Sequence, residues 1–482
     1  MTIEQPHAGP GQPPGPSSIF SAPVRATSLG LLVLITLIAF EQMAVSAALP
    51  TAARDLHGLG AYGWAFTGFL VANVVGMVAA GQLSDRRGPS RPLLVGLVCF
   101  LTGLLLAGTA TTMVQLVAGR VVQGLGGGLL ITAAYVVIGQ AYAEHLRPPL
   151  FTAISSAWVL PSLIGPAVAG LLAQHASWRW VFLGLAPFTA IGGVLILPVL
   201  RRLGRAPGAD GTAGTGGPSR LVAAVAVAAG IAALEQAGQH PTVLVIALAL
   251  AGAAAMVWGL RSLLPAGTVR AAPGVSAPIA LRGLLAGAMF GVESIVPLSL
   301  TVQHGYGATA AGLPLTASGI SWAIGSWWQG RPVADDGAHR RIVLMRVGFA
   351  CVAVAAVGMA VAALPAAPGW LAYPSWFVGG FGAGLTMSSA GILLLRYTTD
   401  ARRGADSAAL QLADATSSAV TTGIAGVLVA AAARGAIGST AAFSTFDLLM
   451  CAVAAVGVLA AGRAHPAERG AIESRTAAAG TL

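Results

Sequence analysis

The stretch Met113–Ile138 reads MVQLVAGRVVQGLGGGLLITAAYVVI, and one arginine interrupts its apolar character near the start. A guanidinium group does not lose its proton in a protein, so Arg120 is charged at any relevant pH. Placing that charge inside a bilayer costs at least about 2.5–3.5 kcal/mol unless it faces a partner or a wet cavity. Gly124 and the glycines after it remove side chains from one helix face, which lets a neighbouring helix approach closely. The stretch therefore predicts a membrane helix with a polar centre. The alternative is a buried arginine that only fastens helices together.

The composition of the whole chain is that of a membrane protein with many spans. Of its 482 residues, 56% are hydrophobic and 9% are charged, whereas soluble proteins carry about 25% charged residues. The net charge is +10, but the 26 basic residues, all arginines, are scattered between apolar runs. This pattern favours loops that face an anionic lipid leaflet over a nucleic-acid-binding surface. The three cysteines lie in apolar runs without metal-ligand spacing, so we predict neither a metal site nor a cofactor.

Apolar segments of about 20 residues, the length that crosses a bilayer, recur along the chain. We count fourteen, of which the seventh is short. The predicted spans are 27–49, 61–82, 92–110, 113–138, 150–172, 180–199, 221–237, 241–264, 278–302, 308–328, 342–364, 370–395, 408–433 and 441–461.

The arginines support this count. With the N-terminus inside the cell, the outer segments hold only Arg54, Arg179 and Arg434, and the other loop arginines are cytoplasmic, as the positive-inside rule requires. Removing spans 7 and 8 together leaves every later loop on the same side of the membrane. The choice of fourteen spans over twelve therefore depends on the hydrophobicity of these two segments. The predicted fold is an all-α membrane protein with two six-helix bundles and an inserted helix pair. Its expected parts are a disordered cytoplasmic tail (1–24), the first bundle (25–200), a cytoplasmic linker (201–220), the inserted pair (221–264), the second bundle (278–462) and a cytoplasmic tail (463–482).

The segment after the second span reads GQLSDRRGPSR over residues 81–91. It resembles the signature loop between helices 2 and 3 of the major facilitator superfamily. In that family plan Asp85 is expected to pair across the interface between the halves, while the arginines hold the loop at the anionic surface. An ordinary positive loop is the alternative. The resemblance assigns conformational roles to Gly81, Asp85, Arg86, Gly88 and Arg91.

Two further motifs resemble those of proton-driven members of this superfamily. In the fourth span, the pattern from Leu116 through Arg120 to Gly126 resembles the helix-4 motif. In the fifth span, Gly165, Pro166 and Gly170 partly match the antiporter motif of helix 5, which implies a conformational role for these three residues. Pro166 removes a backbone donor and bends the helix, so a packing kink without a role in coupling is the alternative.

The first span carries an acidic residue in a specific context. Glu41 lies nine residues before Pro50 in EQMAVSAALP, which resembles the helix-1 motif of the fourteen-span drug:proton antiporters. Met43 and Ser46 stand where that branch usually has Thr and Asn. The sequence WRWVF over residues 178–182 also resembles that branch.

Depth along the helices predicts which charges meet. At 1.5 Å per residue, Arg120 lies roughly 10 Å from the outer face, and both Glu41 and Glu293 lie roughly 14 Å from it. Burial favours the protonated form of a carboxyl group and a nearby arginine opposes it, so conformational change can drive proton uptake and release. We expect Glu41 to carry the exchanged proton, Arg120 to tune it and Glu293 to be a second protonatable group. A permanent salt bridge between Glu41 and Arg120 is the alternative.

Other polar and aromatic residues receive weaker interpretations. Gln123, Gly124, Trp158 and Trp322 are candidates for the wall of a substrate cavity, although Trp also belongs at membrane interfaces. The remaining intramembrane acids are interpreted as wet or helix-capping groups: Glu235, Asp414 and Asp447.

Together the motifs imply a proton-coupled antiporter in the cell membrane, with both termini cytoplasmic, that exports drugs or other hydrophobic or amphipathic small molecules. We expect a monomer whose partners are protons, substrate and the bilayer, with a role in multidrug efflux and antibiotic resistance. The alternatives are a proton-coupled importer of a small solute, a lipid exporter of the same fold, and a membrane scaffold or sensor without transport. No phosphate-binding GxxxxGK[ST] loop or nucleophile–base constellation occurs, so we do not expect an enzyme.

Overall fold

The computed structural model is α-helical throughout the part of the chain that it describes. Most of the predicted tails and most of the predicted linker lie outside that part, but residues 18–24 and 463–465 are described, and a helix begins at Ala22, inside the predicted N-terminal tail. The described residues are 18–143, 146–200, 218–239, 243–331, 337–399 and 402–465.

Fifteen α-helices form in these residues, joined by short turns and 3₁₀ segments. Their bounds are α1 Ala22–Asp55, α2 Tyr62–Arg87, α3 Ser90–Gly108, α4 Met113–Ala141, α5 Arg147–His175, α6 Trp180–Leu183, α7 Leu185–Leu200, α8 Pro218–Gln239, α9 Val243–Leu263, α10 Ser276–His304, α11 Ala308–Gln329, α12 Ala338–Ala362, α13 Ala372–Tyr397, α14 Arg403–Ala433 and α15 Ser439–Ala460.

Each predicted span coincides with one of these helices, except that the sixth is divided between α6 and α7. Several helices continue past their apolar segment; α14, for example, begins at Arg403, five residues before its predicted start. Within the described residues, eleven helices are long and apolar enough to cross a membrane, and α9 contributes a shorter apolar segment, Ala247–Leu263. The chain is therefore a multi-pass membrane protein.

The same packing pattern occurs twice. In the first part of the chain, α4 packs against α2 and α3, and α1 packs against α5 and α7. In the second part, α13 packs against α11 and α12, and α10 packs against α14 and α15. The helices α1–α5 and α7 thus correspond in order to α10–α15, as expected for a parallel repeat about an axis along the membrane normal.

Glycines in α4 allow its close packing on both neighbours. A Cβ atom at Gly124 would lie 2.1 Å from the carbonyl oxygen of Phe69 in α2, and one at Gly126 would lie 2.4 Å from the backbone nitrogen of Phe100 in α3. No side chain fits at either place, so the glycines fix the distances between α4 and its two neighbours.

The corresponding helix α13 repeats this arrangement. A Cβ at Gly380 would lie 2.2 Å from a backbone oxygen of α11, and one at Gly382 would lie 2.3 Å from a backbone oxygen of α12. Four residues before this glycine pair α13 has Trp376, which is fully buried. At the corresponding position α4 has Arg120, so the two repeats share their packing and differ in charge.

The two parts of the chain meet along two helix–helix contacts, here called seams: α2 with α14 and α5 with α11. The repeat makes these two seams equivalent. At the first seam a Cβ on Gly63 would lie 2.3 Å from the Cα of Gly426. At the second, a Cβ on Gly170 would lie 2.8 Å from Cα of Thr309. These contacts hold the parts together at the end of the bundle where α2 begins and α14 ends.

The helices α8 and α9 pack against each other, and α8 also packs against α2 and α14. An apolar cluster that includes Val74 of α2, Val227 of α8 and Ala419 of α14 joins the three helices. The α8–α9 pair therefore covers the α2–α14 seam.

Candidate functional site

Glu41 of α1 and Arg120 of α4 form an ion pair in the interior of the protein. The exposed fraction is 0% for Glu41 and 2% for Arg120. Burying two charges is costly, and the cost is recovered only when the pair has good geometry and further hydrogen bonds. The surroundings of the pair therefore determine what it can do.

Arg120 has three further contacts besides Glu41. Its Nε donates a hydrogen bond to the carbonyl oxygen of Ala65 (3.0 Å), and its Nη1 donates to Oε1 of Gln123 (2.8 Å). The guanidinium carbon lies 4.2 Å from the centroid of the Phe69 ring, a cation–π contact. The guanidinium thus links α1, α2 and α4, and it is held by neutral groups as well as by Glu41.

The network is not fully satisfied. Among the described residues, Oε2 of Glu41 and Nε2 of Gln123 have no hydrogen-bond partner. Buried polar atoms are normally paired, so unpaired ones identify places that bind water, an ion or a ligand, or that take part in chemistry. The free oxygen of Glu41 leaves an acceptor available to a proton.

Glu293 forms no hydrogen bond or ion pair with either member of this pair. It is on α10, is partly exposed, and forms no hydrogen bond or ion pair with the described residues. The carbonyl of the next residue, Ser294, accepts a 2.8 Å hydrogen bond from the hydroxyl of Tyr62 in α2. The structure therefore brings Glu41 and Arg120 into contact and leaves Glu293 as a separate carboxyl group.

An aromatic pair lies one turn from Glu293. The rings of Phe290 in α10 and Trp322 in α11 are 6.1 Å apart and tilted by 31°, and both side chains are partly buried. Trp322 therefore packs against α10, the helix that carries Glu293.

The other predicted cavity residues are placed differently. Gln123 is fully buried and bonded to Arg120, and Gly124 is buried against the backbone of Phe69. In this structure both belong to the packing of α4, because α2 fills the space beside the glycine that we expected a substrate to use. The side chain of Trp158 lies outside the described part of the chain.

The predicted signature loop joins α2 to α3. Gly88 ends α2 with φ = 77°, a conformation that favours glycine, while a Cβ on Gly81 would meet no atom within 4 Å. Among the described residues, Asp85 interacts electrostatically with Arg220 at the start of α8 and forms no ion pair with α10–α15. The exposed side chains of the loop are Asp85, Arg86, Arg87 and Arg91.

The predicted kink residues of α5 lie at the α5–α11 seam. Gly165 and Pro166 are buried, and a Cβ on Gly312 of α11 would lie 3.1 Å from the carbonyl oxygen of Pro166. Gly170 contacts the first turn of α11, where its Cβ would lie 2.8 Å from the carbonyl oxygen of Ala308. All three residues therefore pack where the two parts of the chain meet.

The three acids interpreted as wet or capping groups differ from that expectation. Asp414 forms a partly buried ion pair with Arg282 (2.9 Å). Glu235 and Asp447 are only 1% and 2% exposed, respectively. For Glu235 a sequence signal existed: it continues the helical spacing of Ala224, Ala228 and Ile231, which are all buried, and Ala224 and Ile231 pack in the cluster that joins α8 to α2 and α14. Phe69 was also missed, because no local pattern shows that a ring on α2 faces an arginine on α4.

Comparison with known proteins identifies the family. The sequence profile of the Major Facilitator Superfamily matches residues 31–422. The chain belongs to the major facilitator superfamily. It is 28% identical over 460 residues to a "Probable multidrug-efflux transporter" of Mycobacterium tuberculosis, an alignment that covers 92% of this chain and 95% of the relative. It is 29% identical over 171 residues to a multidrug efflux pump of Staphylococcus aureus, which covers 36% of this chain and 38% of the relative.

Solved structures agree with this placement. A crystal structure of an auto-inhibited POT family peptide transporter superposes with a TM-score of 0.63 and 16% identity, covering 91% of this chain and 98% of the other. A POT family transporter in complex with 5-aminolevulinic acid gives a TM-score of 0.61 and 12% identity, covering 91% and 96%. At these identities the likeness shows the fold alone. Family and relatives make this major facilitator protein a transporter rather than an enzyme.

Proposed function

We propose that this major facilitator protein is a proton-coupled exporter of hydrophobic or amphipathic small molecules that works by alternating access. The observation that carries the proposal is the buried Glu41–Arg120 pair, in which one carboxylate oxygen has no partner among the described residues. An ionisable pair inside a membrane helix bundle is a functional site by default, because its burial is expensive.

The contacts of Arg120 explain how the pair serves proton exchange. When Glu41 takes up a proton the ion pair loses its charge attraction, and a buried arginine without other support would then be strongly destabilising. Here the Ala65 carbonyl, Gln123 and the Phe69 ring continue to hold the guanidinium. The α1–α4 contact can therefore exist in two charge states, and a conformational change that favours one of them moves a proton.

Glu293 provides a second protonatable group from the other part of the chain. It has no ion-pair partner among the described residues, and it lies on the same helix as Phe290, whose ring packs near Trp322. Aromatic and apolar walls with a few polar groups are typical of small-molecule sites. We place substrate binding beside this acid, so that cargo and proton compete for the same region.

The arrangement in the membrane is also part of the proposal. Fourteen spans, with two six-helix bundles and the α8–α9 pair inserted between them, place both termini in the cytoplasm by the positive-inside rule. The motif around Glu41 favours the fourteen-span drug:proton antiporter branch, and the names of the relatives support efflux of drugs. We propose a monomer in the cell membrane that exports such compounds, with conformational roles for the Asp85 loop and the Pro166 kink.

Transport in proteoliposomes under an imposed pH gradient tests the proposal, with ethidium as a cationic probe and a neutral lipophilic dye beside it. We expect proton-driven movement of dye by the natural protein and loss of it in Glu41→Gln, with the variant still inserted and folded. Asp414→Asn, at an acid paired elsewhere, is the matched control and should retain transport. Full proton-driven transport by Glu41→Gln would overturn the assignment of the proton site.

A further inference from the structure

The carboxyl group of Glu235 fills a notch between two facing glycines. Glu235 is near the end of α8 and is 1% exposed. A Cβ built on Gly63 of α2 would lie 2.8 Å from Oε1 of Glu235, and one built on Gly426 of α14 would lie 2.9 Å from the same oxygen. The side chain thus reaches from α8 into the contact between α2 and α14.

Nothing in these surroundings satisfies the carboxyl group. Both of its oxygens are buried without a hydrogen-bond partner among the described residues. The hydroxyl of Thr67 in α2 faces it but does not meet hydrogen-bond geometry, and Gly423 and Gly426 face it from α14. No charged or titratable side chain in the described parts of α2, α9 or α14 pairs with it.

The notch lies at a contact that alternating access has to break. Gly63 and Gly426 bring the backbones of α2 and α14 together, with a Cβ on Gly63 only 2.3 Å from the Cα of Gly426. The α5–α11 seam is the equivalent contact in the repeat, and in the described residues only the α2–α14 seam is covered by α8. Opening this end separates the two glycines and admits water to Glu235.

We propose that Glu235 is a further proton-binding group, besides Glu41 and Glu293, protonated while the α2–α14 seam is closed and ionised when the seam opens. The ionised group does not suit the closed seam, because a buried carboxylate without hydrogen bonds or a counter-charge costs several kcal/mol. The neutral acid fits there, and water solvates the carboxylate once the glycines separate. This extends the proposed proton coupling by giving the α8–α9 pair a role: it ties proton release to opening of one seam.

The distance across the seam, measured as a function of pH, tests this inference. Spin labels go on cysteines at Gly60 and Ala436, both exposed at this end, after Cys99, Cys351 and Cys451 are replaced by alanine. In nanodiscs, between about pH 5 and about pH 9, we expect the closed, short-distance population to dominate in acid and to decline in base. Glu235→Gln should stay closed at every pH, while Asp414→Asn, at an acid paired with Arg282, should retain the dependence of the natural protein.

A second variant guards against effects of the amide, which can itself form hydrogen bonds. Glu235→Leu removes both charge and polarity, and it should likewise stay closed at every pH while eluting as a monodisperse protein on size exclusion. The same pH dependence in Glu235→Gln and in the natural protein would overturn the inference, as would a distance that does not change with pH in the natural protein. The transport assay is independent: loss of coupling in Glu41→Gln without any effect of Glu235→Gln on distance rejects only this inference. A Glu235-dependent distance without proton-driven transport rejects only the proposed function.

Discussion

The Arg120 guanidinium lies over the ring of Phe69, 4.2 Å from its centroid, at the same level where it is paired with Glu41. The ring belongs to α2 and the carboxylate to α1, so the arginine is held from two sides by different chemistry. Protonation of Glu41 removes the ion pair but leaves the cation–π contact with Phe69 in place. This difference underlies the first two predictions.

Replacing Arg120 by lysine should abolish most proton-driven transport while the chain still folds. Lysine keeps the charge, but its single ammonium group cannot reproduce the forked geometry that reaches Glu41, the Ala65 carbonyl and Gln123 together. Losing one hydrogen bond to a charged group costs about 1.5–3 kcal/mol, which corresponds to a transport rate lower by about one to two orders of magnitude. Dye flux in proteoliposomes measures this. Arg463→Lys, at an exposed arginine, is the control, and equal fluxes for the two variants would contradict the prediction.

Phe69→Leu should slow transport more modestly. Leucine retains apolar packing and removes the cation–π contact, which is worth about 0.5–2 kcal/mol. We therefore expect transport to fall by about two- to thirtyfold, with insertion unchanged, because the guanidinium loses the neutral support that remains after Glu41 is protonated. Phe100→Leu on α3, a buried ring that has no contact with Arg120 among those described, is the comparison. A flux in Phe69→Leu that matches Phe100→Leu would show that the ring acts only by packing.

Gly124→Ala should destabilise the protein by about 1–3 kcal/mol, the usual cost of overpacking a core. The added Cβ would lie 2.1 Å from the carbonyl oxygen of Phe69, where only backbone movement makes room. Gly139→Ala in the same helix is a matched control, since a Cβ there meets no atom within 4 Å. Alanine at that place should be neutral or stabilising by about 0.5–1 kcal/mol. Thermal unfolding of the two variants in detergent distinguishes them, and equal melting temperatures would be inconsistent with the packing described.

Gly426→Ala should force the α2–α14 seam apart. Its Cβ would lie 2.7 Å from the Cα of Gly63 and 2.9 Å from Oε1 of Glu235, so neither backbone nor carboxyl group can stay in place. The spin-label distance across this seam should therefore lengthen at acid pH as well as at alkaline pH. In Gly438→Ala, where nothing lies within 4 Å, the distances should match those of the natural protein. A closed distance in Gly426→Ala would mean that this contact does not govern closure.

Much of this architecture is predictable from the sequence, because a membrane span is recognised simply from a long enough run of apolar residues. The contact between Glu41 and Arg120 was also predicted, since a constant rise per residue places both at similar depth in adjoining helices. Depth does not give the direction in which a side chain points around its helix. Glu293 was expected at the same depth as the pair, and the structure gives it no hydrogen bond or ion pair to either residue.

The environment of Glu235 needed the fold. An acid near the end of a short apolar segment is ordinarily at the membrane surface, and its burial depends on two glycines, Gly63 and Gly426, that are 363 residues apart in the chain and meet only in the tertiary structure. The packing at Gly124 needed the fold for a related reason: the sequence shows a missing side chain but not that the Phe69 backbone lies in the gap. Long-range packing decides both cases.

Arg120 in α4 and Trp376 in α13 occupy corresponding positions in otherwise matching helices, and this difference matters for the proposed mechanism. The first copy of the repeat carries a buried guanidinium paired with a carboxylate at this position, and the second carries a fully buried, uncharged indole ring. Under the proposed mechanism, uptake of a proton by Glu41 therefore changes the charge balance in the first copy alone, because α13 has no charge at the matching position.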